Sequence, residues 1–305
     1  DDSRDRLSAE NGMQQQDQTK DYFRVAAEDW HQKSKDGRSD YSALEGRRHA
    51  VLSAIDEIKD ARRFLDVGCG SGQLVIAAAQ RGLNAEGIDF ASEMIELCEA
   101  NRKEAGVEAE FTEGSFFDVD LKAGSYDIIS AQGFIEYFSP DDMMLIFKRC
   151  FELLRPGGSL LVGSRNRLFN AVSFNAFTEV ESELGILEAL VNECIALHTS
   201  ESQEAAFEAL RAHERMDPHP DSHPATGVPV DVRYQYSPAD LTGRLRSSGF
   251  TPTTLFPIYF HGLPGAIRKA RPDLHFQLAN AVAEFTLRDQ RLTPFCSTFV
   301  LHVTK

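Results

Sequence analysis

Three glycines at alternate positions are the residues in this chain best suited to hold a ligand. Gly68, Gly70 and Gly72 follow an apolar run that contains Asp66. Glycine has no Cβ, so the backbone can turn sharply and let a ligand lie directly against it. The pattern predicts a strand, a tight turn and a helix. A carboxylate at the head of such a turn suits a ligand with a cationic group.

The glycine spacing separates two classes of ligand. A dinucleotide fold uses G-x-G-x-x-G, but here Gln73 stands where the third glycine would be, so no pyrophosphate is implied. A second acid, Asp89, ends the next predicted strand, where a carboxylate accepts hydrogen bonds from ribose hydroxyls. A ribose without phosphate beside a cationic group describes S-adenosylmethionine (SAM).

The elements that must position these residues alternate regularly. Strands are predicted at 63–67, 85–89, 108–112, 126–131, 159–163, 253–260 and 295–303. Helices are predicted at 43–59, 74–81, 92–105, 141–154, 177–198, 201–216, 237–247 and 265–288. Such strand–helix–strand spacing indicates a parallel sheet with right-handed crossovers.

The same pattern divides the chain into five predicted segments. They are 1–18, disordered or of cloning origin; 19–60, a helical flap; 61–165, the SAM-binding core; 166–232, a helical insertion or lid; and 233–305, which completes the sheet. The insertion contains no clear strand and is where acceptor specificity is expected. The first residue is Asp1 rather than Met, which suggests a fragment, a processed product or added residues.

Composition and charge limit the classes of partner that the protein is expected to bind. The chain has 305 residues and a formal net charge of −15, which disfavours nucleic acid as a substrate. It has no apolar run long enough to span a bilayer. Its five cysteines include no CxxC pair, so reduced thiols and a cytoplasmic location are expected. The sequence leaves the oligomeric state open.

Five segments in order resemble class I SAM-dependent methyltransferases. They are Leu65–Gly72, Gly87–Asp89, Gly114–Phe116, Tyr126–Gln132 and Leu154–Gly158. The resemblance implies an α/β fold with a Rossmann-like seven-stranded sheet, mostly parallel with an antiparallel last strand, plus the helical insertion after strand five. It also implies SAM as the cofactor and a methyl transfer as the reaction.

The resemblance carries roles to particular residues. The Gly68–Gly72 backbone, with Cys69, would lie against SAM, with Asp66 near its amino group and Asp89 on the ribose. Phe90 follows that acid, Ser115 and Phe116 would flank the adenine, and Gln132 would border the methionine end. Arg48 is spaced as the arginine that binds the SAM carboxylate in ubiquinone-type O-methyltransferases, with Arg47 as its rival.

Candidates for catalysis follow predicted strands four and six. Glu136 and Tyr137 stand where relatives commonly read Glu-His, and the Glu-x-x-Glu-His metal pattern of some relatives is broken here, so no metal is expected. His261 is the first choice for a general base. His219 and His223 lie in a proline-rich stretch, which favours an extended loop over a metal site.

The acceptor stays open among several classes. The leading hypothesis is methyl transfer to a hydroxyl of a small molecule. The segments 164–170 and 296–302 are similar to methyltransferases of bacterial surface-polysaccharide machinery, which suggests a sugar or glycolipid. Arg165 and Arg167 could meet an anionic group of the acceptor or pair with the chain's own acids. Alternatives are an N-methyltransferase on a small amine or amino sugar and a non-catalytic SAM-binding domain of a larger enzyme.

Overall fold

The architecture comes from a computed structural model that describes residues 43–213, 219–221 and 233–305. The predictions for residues 1–42, including the disordered 1–18 and most of the helical flap, lie outside the described residues. So does His223, and nothing is described of the His219 side chain.

Nine strands and eleven α-helices are found in the described part of the chain. The strands are β1 (Arg63–Val67), β2 (Asn84–Asp89), β3 (Glu110–Glu113), β4 (Tyr126–Ala131), β5 (Leu154–Arg165), β6 (His219–Asp221), β7 (Arg233–Gln235), β8 (Thr251–Phe260) and β9 (Cys296–Thr304). The helices are α1 (Ala43–Glu57), α2 (Gln73–Ala79), α3 (Ser92–Ala105), α4 (Pro140–Leu153), α5 (Leu168–Val172), α6 (Ala176–Glu183), α7 (Leu187–His198), α8 (Gln203–Leu210), α9 (Pro238–Ser247), α10 (Gly265–Ala270) and α11 (Pro272–Arg288).

Seven of these strands form one sheet in the order β3-β2-β1-β4-β5-β9-β8. The pairs among β1 to β5 are parallel, whereas β9 runs antiparallel to both β5 and β8. The predicted α/β fold with an antiparallel last strand is therefore confirmed. The carboxyl ends of β1, β2, β4, β5 and β8 meet at one edge, where ligands of open α/β sheets bind.

The central strands are buried on both faces, as expected of a parallel sheet covered by helices. In β1, Phe64 packs into the core under α1 and α2, and Leu65 packs into the core under α4. In β4, Ile128 and Ile129 divide between the same two cores. This alternation fixes the register of the sheet, because a slip of one residue would exchange the two faces.

A polar contact closes the amino-terminal edge of the sheet. Asp127 accepts hydrogen bonds from the backbone N–H groups of Arg62 and Arg63, both at 2.8 Å, and pairs with Arg155. Arg155 begins the R-P-G-G segment, which the structure includes in β5. The segment therefore ties the start of β5 to β1 and β4.

The structure differs from the predicted elements mainly in and after the insertion. The helix predicted at 177–198 is two helices, because Gly185 adopts a φ of +71° between them. The helix predicted at 265–288 is also divided, directly before Pro272, since proline disfavours helical backbone at the preceding residue. The stretch without a predicted strand contains β6, which pairs with β7 across the predicted boundary at 232/233.

Candidate active site

The turn after β1 is built from three glycines with left-handed backbone. The φ angles of Gly68, Gly70 and Gly72 are 71°, 53° and 76°, which residues with a Cβ rarely adopt. A Cβ on Gly68 would lie 2.6 Å from the Phe134 ring, and one on Gly72 would lie 2.9 Å from Phe111. A Cβ on Gly70 would meet nothing within 4 Å. Gly70 therefore borders open space in which a ligand can approach the backbone.

Asp89, at the end of β2, holds this turn in place. Its Oδ2 accepts a hydrogen bond from Gly70 N at 2.9 Å, and its Oδ1 accepts one from Ala91 N at 3.0 Å. Each carboxylate oxygen has a further lone pair for a ligand hydroxyl. Burial raises the pKa of Asp89 to about 6. Cys69 lies within the turn, buried, with its sulfur 3.9 Å from that of Cys98.

Asp66 is the second carboxylate at the turn, and it is only 4% exposed. Its Oδ1 has no hydrogen-bond partner in the described part of the chain. Burial, aided by the charge of Asp89, raises the pKa of Asp66 to about 7. A buried acceptor without a donor is costly, so an ammonium group of a ligand would relieve it.

The residues predicted at the adenine are not equally accessible. Ser115 is partly exposed after β3, and its Oγ accepts a hydrogen bond from Phe117 N at 3.3 Å. Phe116 is 4% exposed and meets Phe134 edge to face, with ring centroids 6.4 Å apart. Phe90 is partly buried and packs beside Ala91. Their contacts with adenine stay predictions.

Two neighbouring arginines of α1 lie in opposite environments. The side chain of Arg48 is 35% exposed and pairs with Glu45 on the same helix. Arg47 is 8% exposed, and its Nε has no hydrogen-bond partner among the described residues. Its Nη1 lies 2.8 Å from where a Cβ on Gly133 would stand. Burial lowers the pKa of Arg47, and the charge of Glu136 opposes this. Arg47, rather than Arg48, faces the end of β4.

Gln132 follows β4 directly and lies against the next strand. Its Nε2 donates to Leu161 O at 2.9 Å, and its Oε1 is buried without a partner in the described residues. A Cβ on Gly163 would lie 2.3 Å from that Oε1 and 3.6 Å from the Cδ of Arg47. The absence of a side chain at 163 therefore lets Gln132 and Arg47 share this corner.

Glu136 lies in the short 3₁₀ helix Ile135–Tyr137 and is 3% exposed. Its Oε1 accepts a hydrogen bond from Arg233, whereas its Oε2 is buried with no partner within the described residues. Burial alone would raise the pKa of Glu136, but Arg233, Arg47 and Arg165 outweigh it and lower that pKa. Glu136 is therefore an ionised hydrogen-bond acceptor at neutral pH.

Tyr137 is also buried, at 8% exposure. Burial, followed by the negative charge of Glu136, raises the pKa of Tyr137 well above its usual range. The guanidinium of Arg233 lies 5.3 Å from the centroid of the Tyr137 ring. The Tyr137 hydroxyl therefore keeps its proton and suits a hydrogen-bond donor better than a base.

The surroundings of His261 disfavour the predicted role as general base. Burial, then the charge of Arg268 and the nearby His275, lower the pKa of His261 to about 3. Its Nδ1 accepts from Arg268, and its ring stacks on His275 with centroids 5.0 Å apart. Phe169 packs on it at 4.6 Å. An imidazole of such low basicity takes up a proton poorly at neutral pH.

The two arginines after β5 have different partners. Arg167 forms a buried ion pair with Glu181 of α6 at 2.9 Å, with side-chain exposures of 2% and 4%. Arg167 therefore serves the insertion rather than an acceptor, as the alternative of pairing with the chain's own acids predicts. Arg165 lies over the Phe177 ring, 5.6 Å from its centroid, and acts on Glu136 through its charge.

One residue of this site was missed in the sequence. Arg233 lies at the very end of the insertion, with no motif around it, and only the pairing of β7 with β6 and the contact to Glu136 reveal its place. No cluster of three or more His, Cys, Asp or Glu side chains able to hold a metal is found among residues 43–213 and 233–305.

The residues at this edge fit the chemistry of SAM. Asp66 offers an unpartnered carboxylate oxygen for an ammonium, Arg47 a buried guanidinium for a carboxylate, and Asp89 an acceptor for ribose hydroxyls. Gly70 leaves the open space that a ligand at the backbone requires.

Comparison with known proteins agrees with this arrangement. A family model described as a methyltransferase domain matches residues 64–158. The ubiquinone biosynthesis O-methyltransferase of Xanthomonas axonopodis pv. citri (strain 306) is 35% identical over 126 residues, which are 41% of this chain and 52% of that protein. The same-named protein of Bordetella avium (strain 197N) is 32% identical over 136 residues, 43% of this chain and 56% of that protein. The match thus spans about half of each relative.

Solved structures share the fold at low identity. The 1,6-didemethyltoxoflavin-N1-methyltransferase of Burkholderia thailandensis matches with a TM-score of 0.56 and 12% identity, over 96% of this chain and 90% of that one. A SAM-dependent methyltransferase of Thermotoga maritima, a possible histamine N-methyltransferase, matches with a TM-score of 0.54 and 15% identity, over 94% and 99%.

The sheet order and the glycine turn with its two acids define a Rossmann-like, SAM-binding α/β domain. Residues 64–158 carry a methyltransferase domain, and the residues around its glycine turn fit SAM as the cofactor. None of the helices in the described part of the chain combines the length and the apolar composition that a membrane span needs.

Proposed function

We propose that the protein transfers the methyl group of SAM to a hydroxyl of a small molecule. The observation that carries the proposal is the ionised Glu136, buried two residues after Phe134 with one oxygen that has no partner among the described residues. Phe134, which begins that segment, is the ring that lies against Gly68. A hydroxyl is a donor that this oxygen can accept from. The printed names of the curated relatives, O-methyltransferases, support the same acceptor atom.

The cofactor residues take these roles in the proposal. Asp89 accepts from the ribose hydroxyls, Asp66 from the amino group, and Arg47 holds the carboxylate in a charge-assisted pair. Gln132 borders the methionine end. The turn with Cys69 lies along the ligand, and Ser115, Phe116 and Phe90 lie toward the adenine.

SAM supplies a methyl group already activated on a positively charged sulfur. The chain's own contribution is alignment, and well-oriented reactants gain most of the rate. Glu136 orients the acceptor hydroxyl through a hydrogen bond. Because its pKa is lowered, it does not retain the proton, which leaves to solvent. Tyr137 keeps its proton beside Glu136, because its pKa is raised, and neither Tyr137 nor His261 acts as a base.

The acceptor class follows from charge and from the relatives. The formal net charge of −15 disfavours a polyanionic substrate such as nucleic acid. A sugar or glycolipid hydroxyl remains one specific form of the proposal. All five cysteines are buried and unpaired, which supports a cytoplasmic location. The division into a core at 61–165, an insertion at 166–232 and a completing segment at 233–305 is likewise proposed, with β7 shared between the last two.

An acceptor panel tests this function. The protein and SAM are incubated with a catechol, a simple phenol, a monosaccharide, a polyprenyl glycolipid, an amino sugar and histamine, and products are identified by mass spectrometry with position mapping. We expect an O-methylated product from a hydroxylated member, and none with an Asp89→Ala variant.

The other outcomes of the panel are equally specific. Methyl on a nitrogen alone would replace the proposal with an N-methyltransferase. Tight binding of S-adenosylhomocysteine (SAH) without methylation of any member, or of a broad small-molecule extract, would favour a non-catalytic SAM-binding domain.

A further inference from the structure

The partner of Glu136 comes from a distant part of the chain. Arg233 is the first residue of β7, the strand that follows the insertion, and it stands 97 positions after Glu136. The two side chains form a buried pair, 10% and 4% exposed. The same guanidinium lies over the Tyr137 ring. Strand β7 therefore delivers a cation to both residues of the 3₁₀ helix that face the proposed acceptor.

A second buried network holds β7 in this position. Arg167 and Glu181 form a two-pronged pair with N–O distances of 2.9 to 3.1 Å. Asn170 donates to Glu181 Oε1 and to Gln235 Oε1, each at 3.0 Å. Gln235 is the last residue of β7. The backbone N–H of Arg167 also donates to Tyr236 O at 3.1 Å. Strand β7 is thus fixed to α5 and α6 at one end and to Glu136 at the other.

We propose that Arg233 is a positioning residue that fixes Glu136 as an ionised hydrogen-bond acceptor, with Oε2 left for the hydroxyl of the methyl acceptor. The inference rests on the proposed function and adds a residue from outside the SAM-binding core. By occupying Oε1, Arg233 limits Glu136 to one free oxygen in one orientation. The site then prefers acceptors whose reacting hydroxyl can donate a hydrogen bond to Oε2.

The charges around Glu136 show why Arg233 matters most. Arg47 faces it from α1, Arg165 from β5 and Arg233 from β7, while Tyr137 adjoins it in the 3₁₀ helix. Arg233 is the strongest of the three cations that oppose burial, and the one hydrogen-bonded to Glu136. Without Arg233, only Arg47 and Arg165 oppose burial, so the pKa of Glu136 is expected to rise from its wild-type value. A protonated carboxyl donates from one oxygen and accepts only weakly at the other, so it binds a hydroxyl less well than the carboxylate does.

An acceptor-free experiment tests this directly. The protein is labelled with ¹³C at the glutamate carboxyl, saturated with SAH, and titrated by NMR, with Glu136 assigned by its loss in Glu136→Gln. We expect the Glu136 midpoint to shift upward in Arg233→Gln and less in Arg233→Lys. The exposed Arg288 provides the matched control, and Arg288→Gln leaves the midpoint unchanged. An unchanged midpoint in folded Arg233→Gln, or in Arg233→Met if Arg233→Gln does not fold, overturns the proposal.

Kinetics with an active catechol of the panel provide a second readout. Arg233→Gln is expected to raise the acceptor KM more than tenfold. The increase in KM should be greatest at low pH, because Glu136 of the variant becomes protonated as pH falls. The SAH affinity is expected to stay within about twofold, since no cofactor contact is removed. The double variant Glu136→Gln/Arg233→Gln leaves no charge of this pair buried, and its acceptor KM should not depend on pH in this range. Two outcomes separate this inference from the proposed function. Loss of SAH affinity with an unshifted Glu136 midpoint would make Arg233 part of the cofactor site. Failure of methylation in the wild type would contradict the proposed function alone.

Discussion

The cofactor side and the acceptor side of this edge are built in different ways. The cofactor side consists mainly of backbone, with left-handed glycines and with N–H groups that contact Asp89. The acids Asp66 and Asp89 complete it, and all of these groups lie within about one βαβ unit. The acceptor side consists of long side chains brought together from β5, the 3₁₀ helix after β4 and β7, and Arg47 of α1 lies between the two sides. Backbone geometry tolerates little substitution, whereas a cluster of side chains can be rebuilt for another acceptor. The same core can therefore serve different acceptors while the turn stays the same.

The largest expected effect tests whether the acceptor side can be destabilised without any change in cofactor binding. Glu181→Ala removes the carboxylate that pairs with the buried Arg167 and is expected to cost about 3–5 kcal/mol of unfolding free energy in the insertion. The SAH affinity should stay within about twofold, because the glycine turn is untouched. Urea unfolding and calorimetry measure the two quantities. Glu183→Ala, an exposed position of the same helix, is the control, expected within about 0.5 kcal/mol. An equal loss of SAH binding would show that the two sides are not separate.

The next effect concerns the cofactor side alone. Asp89→Ala removes the ribose acceptor and the anchor of Gly70, and is expected to weaken SAH binding by about 100-fold, since each hydrogen bond to a charged group is worth about 1.5–3 kcal/mol. Isothermal titration calorimetry measures the loss. Unchanged affinity would remove the ribose role from β2.

Adjacent arginines of α1 test which one holds the cofactor carboxylate. Arg47→Met is expected to weaken SAH binding about 30-fold, because it removes a buried charge-assisted pair worth about 2 kcal/mol. Arg48→Met, whose side chain is half-buried and pairs with Glu45, should change affinity by less than about twofold. The reverse ranking, measured by the same titration, would restore Arg48 to the role that its spacing predicts.

The smallest effect, about tenfold between pH 7 and pH 6, is the pH dependence of cofactor affinity. The pKa values of Asp66 and Asp89 are raised to about 7 and about 6, so protons compete with a ligand that binds the ionised forms. The SAH affinity should be full at high pH and fall as pH drops through 7 and then 6, by about tenfold per unit for each protonated group. Asp66→Asn should remove the part near pH 7. A flat profile down to about pH 5.5 would separate these carboxylates from the ligand.

The contrast between the two sides also explains how much of the molecule could be predicted from the sequence. The sheet was predictable because its strands are short apolar runs, and the glycine turn because only glycine tolerates its backbone angles. The segments β1, β4 and α3 have the predicted bounds to the residue.

The acceptor side could not be read in the same way. Arg47 and Arg48 share one spacing, and their difference is a rotation of about 100° around the helix axis, decided by what α1 packs against. Strand β6 is three residues long and contains Pro220, too short for a period. Nothing in the sequence distinguishes Arg233 from the other arginines, and only the pairing of β7 with β6 shows where it lies. His261 directly follows β8, as predicted, but Arg268 and His275, which lower its pKa, come from helices whose packing the sequence does not reveal.

The long sequence separation between Glu136 and Arg233 has a consequence for how the protein loses methyl-transfer activity. The glycine turn is held by contacts between residues about 20 positions apart. The pair of Glu136 and Arg233 instead joins residues 97 positions apart, which requires a much longer loop to close. Segments of this kind open as cooperative subunits below the global unfolding free energy. Amide hydrogen exchange should therefore be faster in β7 than in β1 and β4. A preparation that still binds cofactor in full can thus have lost a fraction of its methyl-transfer sites, so cofactor binding alone overstates the active fraction.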